Sequence, residues 1–341
     1  MSENKVPSKP NRSYDPGVSD FSTRPATRDD ANAITDLFAA AETVDHTEEH
    51  LSVEDVLEEL ENPMIDVDRD WLVVERDGRV VGFGGLLPRA PSDGKVRVAV
   101  EGVVHPDHRR TGIGSYVVPL IVARAHEYAH ERGLEAVVIG SGPSANADQE
   151  AVFGRNGLQP ERWQFVMVAD LHDERVGSSA PGVPDGYTLS TWEGADHDEL
   201  RTAHNRTFVG HYGFGPWDMD MWHQWVSGSH SYRPELSLLL RDDEGAVAAY
   251  VQTNEYDATL EVTGKRDAFV AKVGTVPEHR RRGLADLLLR IALDRYRQAG
   301  FDQSSLDVDS ENPTGALALY EHAGYRTVAR NTSYRLVSPA E

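Results

Sequence analysis

The stretch "VGTVPEHRRRGLADLLLRIALDRY", residues 273–296, decides the fold because the hydrophobic period changes within it. Up to Val276 the pattern is that of a strand, and beyond Gly283 the apolar residues recur at helical spacing. A helix start leaves backbone N–H groups unpaired and carries the positive end of the helix dipole. Three arginines directly before this start therefore predict a site for a phosphate or pyrophosphate. The apolar face comprises Leu284, Leu287, Leu288, Ile291 and Leu293.

The same arrangement occurs earlier, in "EGVVHPDHRRTGIGSYVV" at residues 101–118. Arg109 aligns with Arg280, and the turn glycine of the preceding hairpin, Gly78, aligns with Gly245 at nearly the same offset. Two equivalent motifs at a near-constant offset predict a duplicated domain. Neither motif is a Walker loop or a dinucleotide fingerprint, because the required Gly-Lys-Ser/Thr and the third glycine are missing.

Length and composition agree with two domains and restrict the partners. A chain of 341 residues exceeds the size at which a single core usually stops growing. Its 56 acidic and 34 basic residues, a net charge of −22, argue against nucleic acid and anionic membranes as partners. No cysteine is present, which excludes disulfides and thiolate metal sites. With a polar N-terminus and no long apolar run, the sequence predicts a cytoplasmic protein, either a monomer or a homodimer.

The predicted boundaries follow composition. Residues 1–20 are expected to be a disordered tail, and 21–172 and 187–338 are expected to be the two domains. The segment 173–186 is rich in Gly, Pro and Ser and is predicted to be a linker, with the boundary near Ser179.

Each half is predicted to open with a short strand and a helix, followed by an antiparallel hairpin, a long strand, the arginine turn, a helix and closing strands. Asp29 or Asp30 is the expected N-cap of the first helix, and Asp196 is the expected N-cap of its counterpart. The acidic segment "TVDHTEEHLSVEDVLEELE" (43–61) is interpreted as a solvated helix face.

The arginine turn, followed by "LDVDSENPTGALALYEHAGY" (306–325), resembles the acyl-CoA-binding core of the GCN5-related N-acetyltransferase (GNAT) superfamily. The similarity is strong over 268–327 and weaker over 70–160, and the duplication resembles the tandem members of that family. It implies an α+β (mixed α/β) fold with two tandem GNAT domains. Each would have a mostly antiparallel central sheet, splayed at the cofactor strand and flanked by helices. It also implies acetyl-CoA as co-substrate, and no metal is expected.

The resemblance also assigns residues in the second half. The motif from Arg280 to Ala285 would bind the CoA pyrophosphate, and the strand before it would run beside the pantetheine arm. Asn312 would contact the cofactor, and Tyr320 would protonate the departing thiolate, a suitable task for a phenol. The cofactor-binding residues are expected to be Gly274, Thr275, Val276, Arg280, Arg281, Arg282, Gly283, Leu284, Ala285 and Asn312, with a weaker site at Arg109, Arg110, Gly112 and Gly114.

The first half departs from the family pattern where the second half keeps it. Phe153 stands at the Tyr320 position and Ala145 at the Asn312 position, with the adjacent Asn146 as an alternative cofactor contact. Phenylalanine cannot donate a proton, so the first domain is predicted to be degenerate and catalytically silent.

The general base and the acceptor site stay open at this stage. Glu101 lies on the strand before the first turn, but Lys272 occupies the aligned position in the second half. The aromatic segment 205–225 suits a cationic or amphipathic amine, although interdomain packing explains it equally well. The candidate bases are Glu255, His211, His223, Asp307 and Asp309, and the candidate substrate-binding residues are His211, Trp217, Asp218, Trp222 and Glu255.

The sequence therefore predicts an N-acetyltransferase whose C-terminal domain transfers an acetyl group from acetyl-CoA to a small-molecule amine by direct attack. Two alternatives remain. One is a non-catalytic acyl-CoA-binding sensor or scaffold, which the degenerate first half favours. The other is transfer to a protein or peptide amine.

Overall fold

The computed structural model describes residues 20–177, 182–311 and 315–337. Most of the predicted tail, the boundary at Ser179 and the predicted cofactor residue Asn312 lie outside these ranges. The first half contains β1 (Ser22–Pro25), α1 (Ala31–Asp45), α2 (Val53–Leu60), α3 (Val67–Asp70), β2 (Trp71–Arg76), β3 (Arg79–Pro88), β4 (Lys95–Val104), α4 (Ile113–Glu131), β5 (Glu135–Pro143), α5 (Ala147–Arg155) and β6 (Leu158–Asp170).

The second half repeats this order with a different segment after its first helix. It contains β7 (Tyr187–Thr191), α6 (His197–Phe208), α7 (Met219–Trp222) continuing into a π-helical turn (His223–Ser227), β8 (Leu238–Asp242), β9 (Val247–Asn254), α8 (Asp257–Thr263), β10 (Asp267–Thr275), α9 (Leu284–Gln298), β11 (Gln303–Asp309), α10 (Ala316–Ala323) and β12 (Arg326–Leu336).

All twelve strands of the described residues form one sheet, in the order β1-β2-β3-β4-β5-β12-β6-β11-β10-β9-β8-β7. Only the β4–β5 and β10–β11 pairs among them are parallel, so the predicted mixed α/β fold with a mostly antiparallel sheet is confirmed. The closing strands are exchanged between the halves: β6 pairs with β11, and β12 pairs with β5 and β6. The two halves therefore share a continuous sheet.

Core packing follows this exchange. Met167 and Ala169 of β6, both fully buried, belong to the hydrophobic cluster beneath α9 of the second half. In return, Tyr334 of β12 packs with Phe153 and Leu158 of the first half. Each half thus needs a strand from the other to complete its core.

In each parallel pair the two strands diverge before the arginine turn that follows the first of them. β10 pairs with β11 only over residues 267–269, and the rest of β10 stays with β9, with a register shift between Val270 and Lys272. β4 separates from β5 in the same way after Val100. Each divergence leaves backbone groups without a strand partner and opens a wedge in the sheet.

Helix starts were predicted in part. Asp196 caps α6 as expected, accepting hydrogen bonds from the backbone N–H groups of Asp198 and Glu199. Asp30 is the N-cap residue of α1, as predicted, although its carboxylate does not cap that helix. Thr27 is the cap of a 3₁₀ turn, and Asp30 reaches back to its backbone N–H at 2.8 Å in a capping box.

Candidate active site

The two arginine turns share one backbone path. In the second half a 3₁₀ turn, Pro277–His279, precedes Arg281 and Gly283, which have φ angles of 61° and 75°. In the first half Arg110 and Gly112 adopt 63° and 93°. Glycine is favoured at the N-cap because this left-handed conformation penalises a Cβ. The helices α9 and α4 begin directly afterwards, as the change of period predicts.

The turns differ in what their arginines bind. Arg280 donates to the backbone oxygens of Thr275 and Thr207, and Arg282 donates to the Tyr187 hydroxyl at 2.9 Å. Within the described residues, no carboxylate lies within salt-bridge distance of Arg280, Arg281 or Arg282. The positive charge of the second turn is therefore available to an anionic ligand.

In the first half both arginines are already paired. Arg109 forms a two-pronged salt bridge with Asp45, at 2.8 and 2.6 Å, and Arg110 pairs with Asp148 at 3.0 Å. These two carboxylates offset the positive charge of the arginines at the first turn.

The second turn opens onto a cleft of about 480 Å³ that also contains Tyr320. The cleft follows the wedge between β10 and β11, so the turn, the diverging strands and α10 all contribute to it. Among its lining residues are Thr207, Phe208, His211, Lys272, Thr275, Arg280, Arg281, Gly283, Leu284, Ala285, Asp307, Asp309, Leu319 and Tyr320.

Tyr320 lies on α10, a short helix that ends at Gly324 with φ of 105°. Its side chain is half-buried, and burial raises the pKa of its phenol to about 12. No described residue hydrogen-bonds to its hydroxyl, while its ring contacts Tyr325 edge-on at 6.0 Å. The hydroxyl is therefore protonated at neutral pH and free to donate to a ligand in the cleft.

The strand before the turn can contribute mainly through its backbone. A Cβ on Gly274 would lie 2.2 Å from the Tyr250 ring, so glycine permits this tyrosine to pack against β10. The Val276 side chain is 2% exposed and belongs to the core under α6. Thr275, by contrast, lines the cleft.

Of the five predicted substrate-binding residues, one lines the cleft and a second contacts a residue that lines it. His211 lines it, and burial lowers the pKa of its imidazole. The ring of Trp217 faces the Nζ of Lys272 at 4.9 Å, in a cation–π contact at the cleft wall.

The other three have structural roles, which corrects the expectation. Trp222 is fully buried, stacks on Trp192 at 6.3 Å and donates its indole N–H to a histidine. Asp218 is the N-cap of α7. Glu255 is held by Arg233 and Arg266, at 3.2 and 2.9 Å. None of the three lines the cleft.

Two carboxylates of β11 line the cleft on the side opposite β10. Asp307 and Asp309 both do so, but Asp309 is paired with Arg162 of β6 at 2.7 Å. Asp307 is exposed at the cleft surface, and partial desolvation by the surrounding protein raises its pKa to about 6. His223, another candidate base, lies outside the cleft lining and contacts Ser227 instead.

The chain is also similar to known acetyltransferases. The model of the acetyltransferase (GNAT) family matches both halves, over residues 31–158 and 197–325. The chain belongs to the GNAT family. A mycothiol acetyltransferase of Clavibacter sepedonicus is 30% identical over 247 residues, covering 71% of this chain and 74% of that protein. One from Parafrankia sp. is 28% identical and covers 90% and 94% of the two chains.

Solved GNAT structures show the same tandem architecture. A GCN5-related N-acetyltransferase from Sphaerobacter thermophilus superposes with a TM-score of 0.70 at 26% identity, covering 93% of this chain and 95% of that one. A tandem GNAT protein from the clavulanic acid biosynthesis pathway has the same TM-score at 20% identity, over 94% and 100% of the chains, which shows the shared fold. The predicted tandem GNAT fold and the acyl-CoA-dependent acetyltransferase class are confirmed.

The described residues contain no cluster of three or more His, Asp or Glu side chains placed to hold a metal ion. No helix among them is long and apolar enough to cross a membrane.

Proposed function

We propose that this GNAT protein transfers an acetyl group from acetyl-CoA to a primary amine of a small molecule, and that its second half carries the reaction. One observation supports this: the arginine turn and Tyr320 line the same cleft. Among the described residues, the arginines have no carboxylate partner and the Tyr320 hydroxyl has no hydrogen-bond partner. The first half has neither a turn free of carboxylate partners nor a tyrosine at the equivalent position.

The second half has the features that acetyl-CoA requires. The first N–H groups of α9 favour the pyrophosphate, as does Arg281, which has no carboxylate partner among the described residues. The edge of β10 that has diverged from β11 offers backbone groups to the pantetheine arm. Asn312 stays a prediction as a further contact.

Tyr320 would act as the general acid. As the amine nitrogen bonds to the thioester carbon, the C–S bond breaks, and the tyrosine hydroxyl gives its proton to the thiolate. The phenolate then takes a proton from the product nitrogen, so that Tyr320 is restored. Burial supports this role because a pKa near 12 keeps the proton on the hydroxyl until the thiolate forms.

The same chemistry is unavailable in the first half. Phe153 is 5% exposed and packs edge-on against Tyr334 at 5.0 Å. On the diverging strand β5, the backbone oxygen of Ser141 already accepts a hydrogen bond from the Gln149 amide at 2.9 Å. The first half therefore lacks the acid as well as the free turn.

Thiol release from acetyl-CoA tests the proposal. The full-length chain is mixed with acetyl-CoA and, in separate reactions, glucosamine, spermidine, lysine amide or a lysine-containing peptide. Amine-dependent thiol release with a small amine is expected. Binding of acetyl-CoA without release by any of the four would contradict catalysis and support a sensor, whereas release with the peptide alone would support protein acetylation.

A further inference from the structure

Side chains of the first half reach the border of the cleft in the second half. Asp309, which lines the cleft at the end of β11, is bound by Arg162 of β6 at 2.7 Å. The guanidinium carbon of the same arginine lies 3.9 Å from the centre of the Tyr212 ring, in the loop between α6 and α7. Arg162 therefore joins two separate parts of the second half to a strand of the first.

Other residues of the shared sheet bind the same tyrosine. The guanidinium of Arg97, on β4, lies 5.1 Å from the centre of the Tyr212 ring. The tyrosine hydroxyl donates to the carboxylate of Glu161 on β6, which also accepts from Arg335 of β12 at 3.2 Å. Cations are attracted to the negative face of an aromatic ring. Tyr212 is thus held through both its ring and its hydroxyl.

The loop that carries Tyr212 lies against the first half without a gap. A Cβ on Gly215 would lie 2.4 Å from the backbone oxygen of Ala90, in the connection between β3 and β4. The neighbouring atom belongs to the backbone, so it could not move aside as a flexible side chain could. Glycine therefore permits this contact, and Gly215 is buried in it.

The same loop also forms part of the cleft wall. His211, which directly precedes Tyr212, lines the cleft, as does Phe208 at the end of α6. The rings of these two lining residues pack together at 5.0 Å. The loop and Asp309 are therefore two parts of the cleft wall whose positions depend on one arginine of the first half.

The clamp formed by Arg162 and Tyr212 is separate from the residues assigned to acetyl-CoA and to proton transfer. Among the described residues, no hydrogen bond, ion pair or ring contact joins Arg162 or Tyr212 to the arginine turn or to Tyr320. The clamp can therefore shape the part of the cleft that receives the acceptor without changing the cofactor turn or the acid.

We propose that Arg162 is a positioning residue for the acceptor amine: it fixes Asp309 and the loop of His211, so that the first half completes the acceptor side of the cleft. The inference rests on the proposed function and adds no step to its chemistry. A loop that is already held in place loses less conformational freedom when the amine binds. Loss of the clamp should therefore raise the KM of the amine and leave kcat unchanged.

Two substitutions that leave the charge of the cleft unchanged test this. Arg162→Lys keeps the positive charge and loses the planar fork, and Tyr212→Leu removes the ring. With the best amine of the panel, each should raise KM by roughly five- to tenfold, while kcat and the Kd for acetyl-CoA stay within about twofold. The double variant should match the weaker of the two single variants, because both residues act through one contact.

Arg132→Lys is the matched control. Arg132, at the end of α4, also makes a cation–π contact, at 3.5 Å from the Tyr128 ring, and a salt bridge, at 3.8 Å to Glu131. Among the described residues it contacts none that line the cleft, so this variant should keep wild-type kinetics. Tyr212→Phe keeps the ring and should recover most of the affinity that is lost in Tyr212→Leu.

The kinetic constants separate the possible failures. A wild-type KM in either Arg162→Lys or Tyr212→Leu would overturn the inference and leave the proposed function intact. An equal loss of acetyl-CoA affinity in calorimetry would also overturn it, because the substitution would then have damaged the whole cleft. If no amine in the panel elicits thiol release from the wild-type chain, the proposed function fails and the inference falls with it.

Discussion

Replacing Tyr320 by phenylalanine removes one oxygen atom and leaves the ring. The hydroxyl has no hydrogen-bond partner among the described residues, so its loss leaves no buried group unsatisfied. The ring contact with Tyr325 at 6.0 Å is retained. The fold and the acetyl-CoA turn should be unaffected, and the change should act on the chemical step alone.

Loss of a general acid typically costs a factor of 10² to 10⁴, which is about 3–5 kcal/mol in the barrier. We expect kcat to fall by about 100-fold or more and the Kd for acetyl-CoA to stay within about twofold, since the interaction is made as the thiolate departs. Thiol release measures the first quantity, and calorimetry with acetyl-CoA measures the second.

Tyr325→Phe is the matched control. Tyr325 is 3% exposed and its hydroxyl contacts Ser304 at 2.7 Å, so this variant should lose about 1 kcal/mol of stability and keep its turnover. Unchanged turnover in Tyr320→Phe, or an equal loss in Tyr325→Phe, would refute the assignment of the acid.

Three further predictions follow from other parts of the molecule. Arg281→Ala should raise the Kd for acetyl-CoA about fivefold at low salt and less at high salt, whereas Arg110→Ala, whose partner is Asp148, should leave it unchanged in calorimetry. Arg24 lowers the pKa of Asp30 from its ordinary value of 3.8 to about 2, so the pair stabilises the fold above pH 3.8 and ceases to do so as the pH falls towards 2. Asp30→Asn should therefore cost about 1–2 kcal/mol at pH 7 in denaturant unfolding, with the difference vanishing near pH 2. Met167→Ala, in a fully buried position of β6, should cost about 2–5 kcal/mol and lower the stability of the second half, which thermal unfolding monitored with bound acetyl-CoA would report.

The sequence predicted the arginine turns and the helices after them because those features are local. A change of hydrophobic period at Gly283 and the charge before it depend on neighbouring residues only. The exchange of β6 and β12 depends on which strand edge each one meets. An alternating strand pattern fits either half equally well, so the burial of Met167 under α9 could not be foreseen.

For the candidate site, too, some residues could be predicted from the sequence and others could not. Tyr320 was identified through its place in a family motif, and the structure puts it in the cleft with the turn. Trp222 and Glu255 were misassigned because composition does not tell a cleft wall from a core, or a free carboxylate from a paired one.

Strand exchange explains how the two halves could diverge so far. The cluster beneath α9 includes residues of β6, and the cluster around Phe153 includes Tyr334 of β12, so neither half can lose its fold without harming the other. Selection on either half therefore also preserves the scaffold of the other. The turn at Arg109 can therefore differ from its counterpart, with Arg109 bound to Asp45, while α4 keeps its place against the sheet. A fragment that begins after the linker would lack β6 between β11 and β12, so its inactivity would report a broken sheet. Single substitutions in the full chain are the experiments that separate the functions of the two halves.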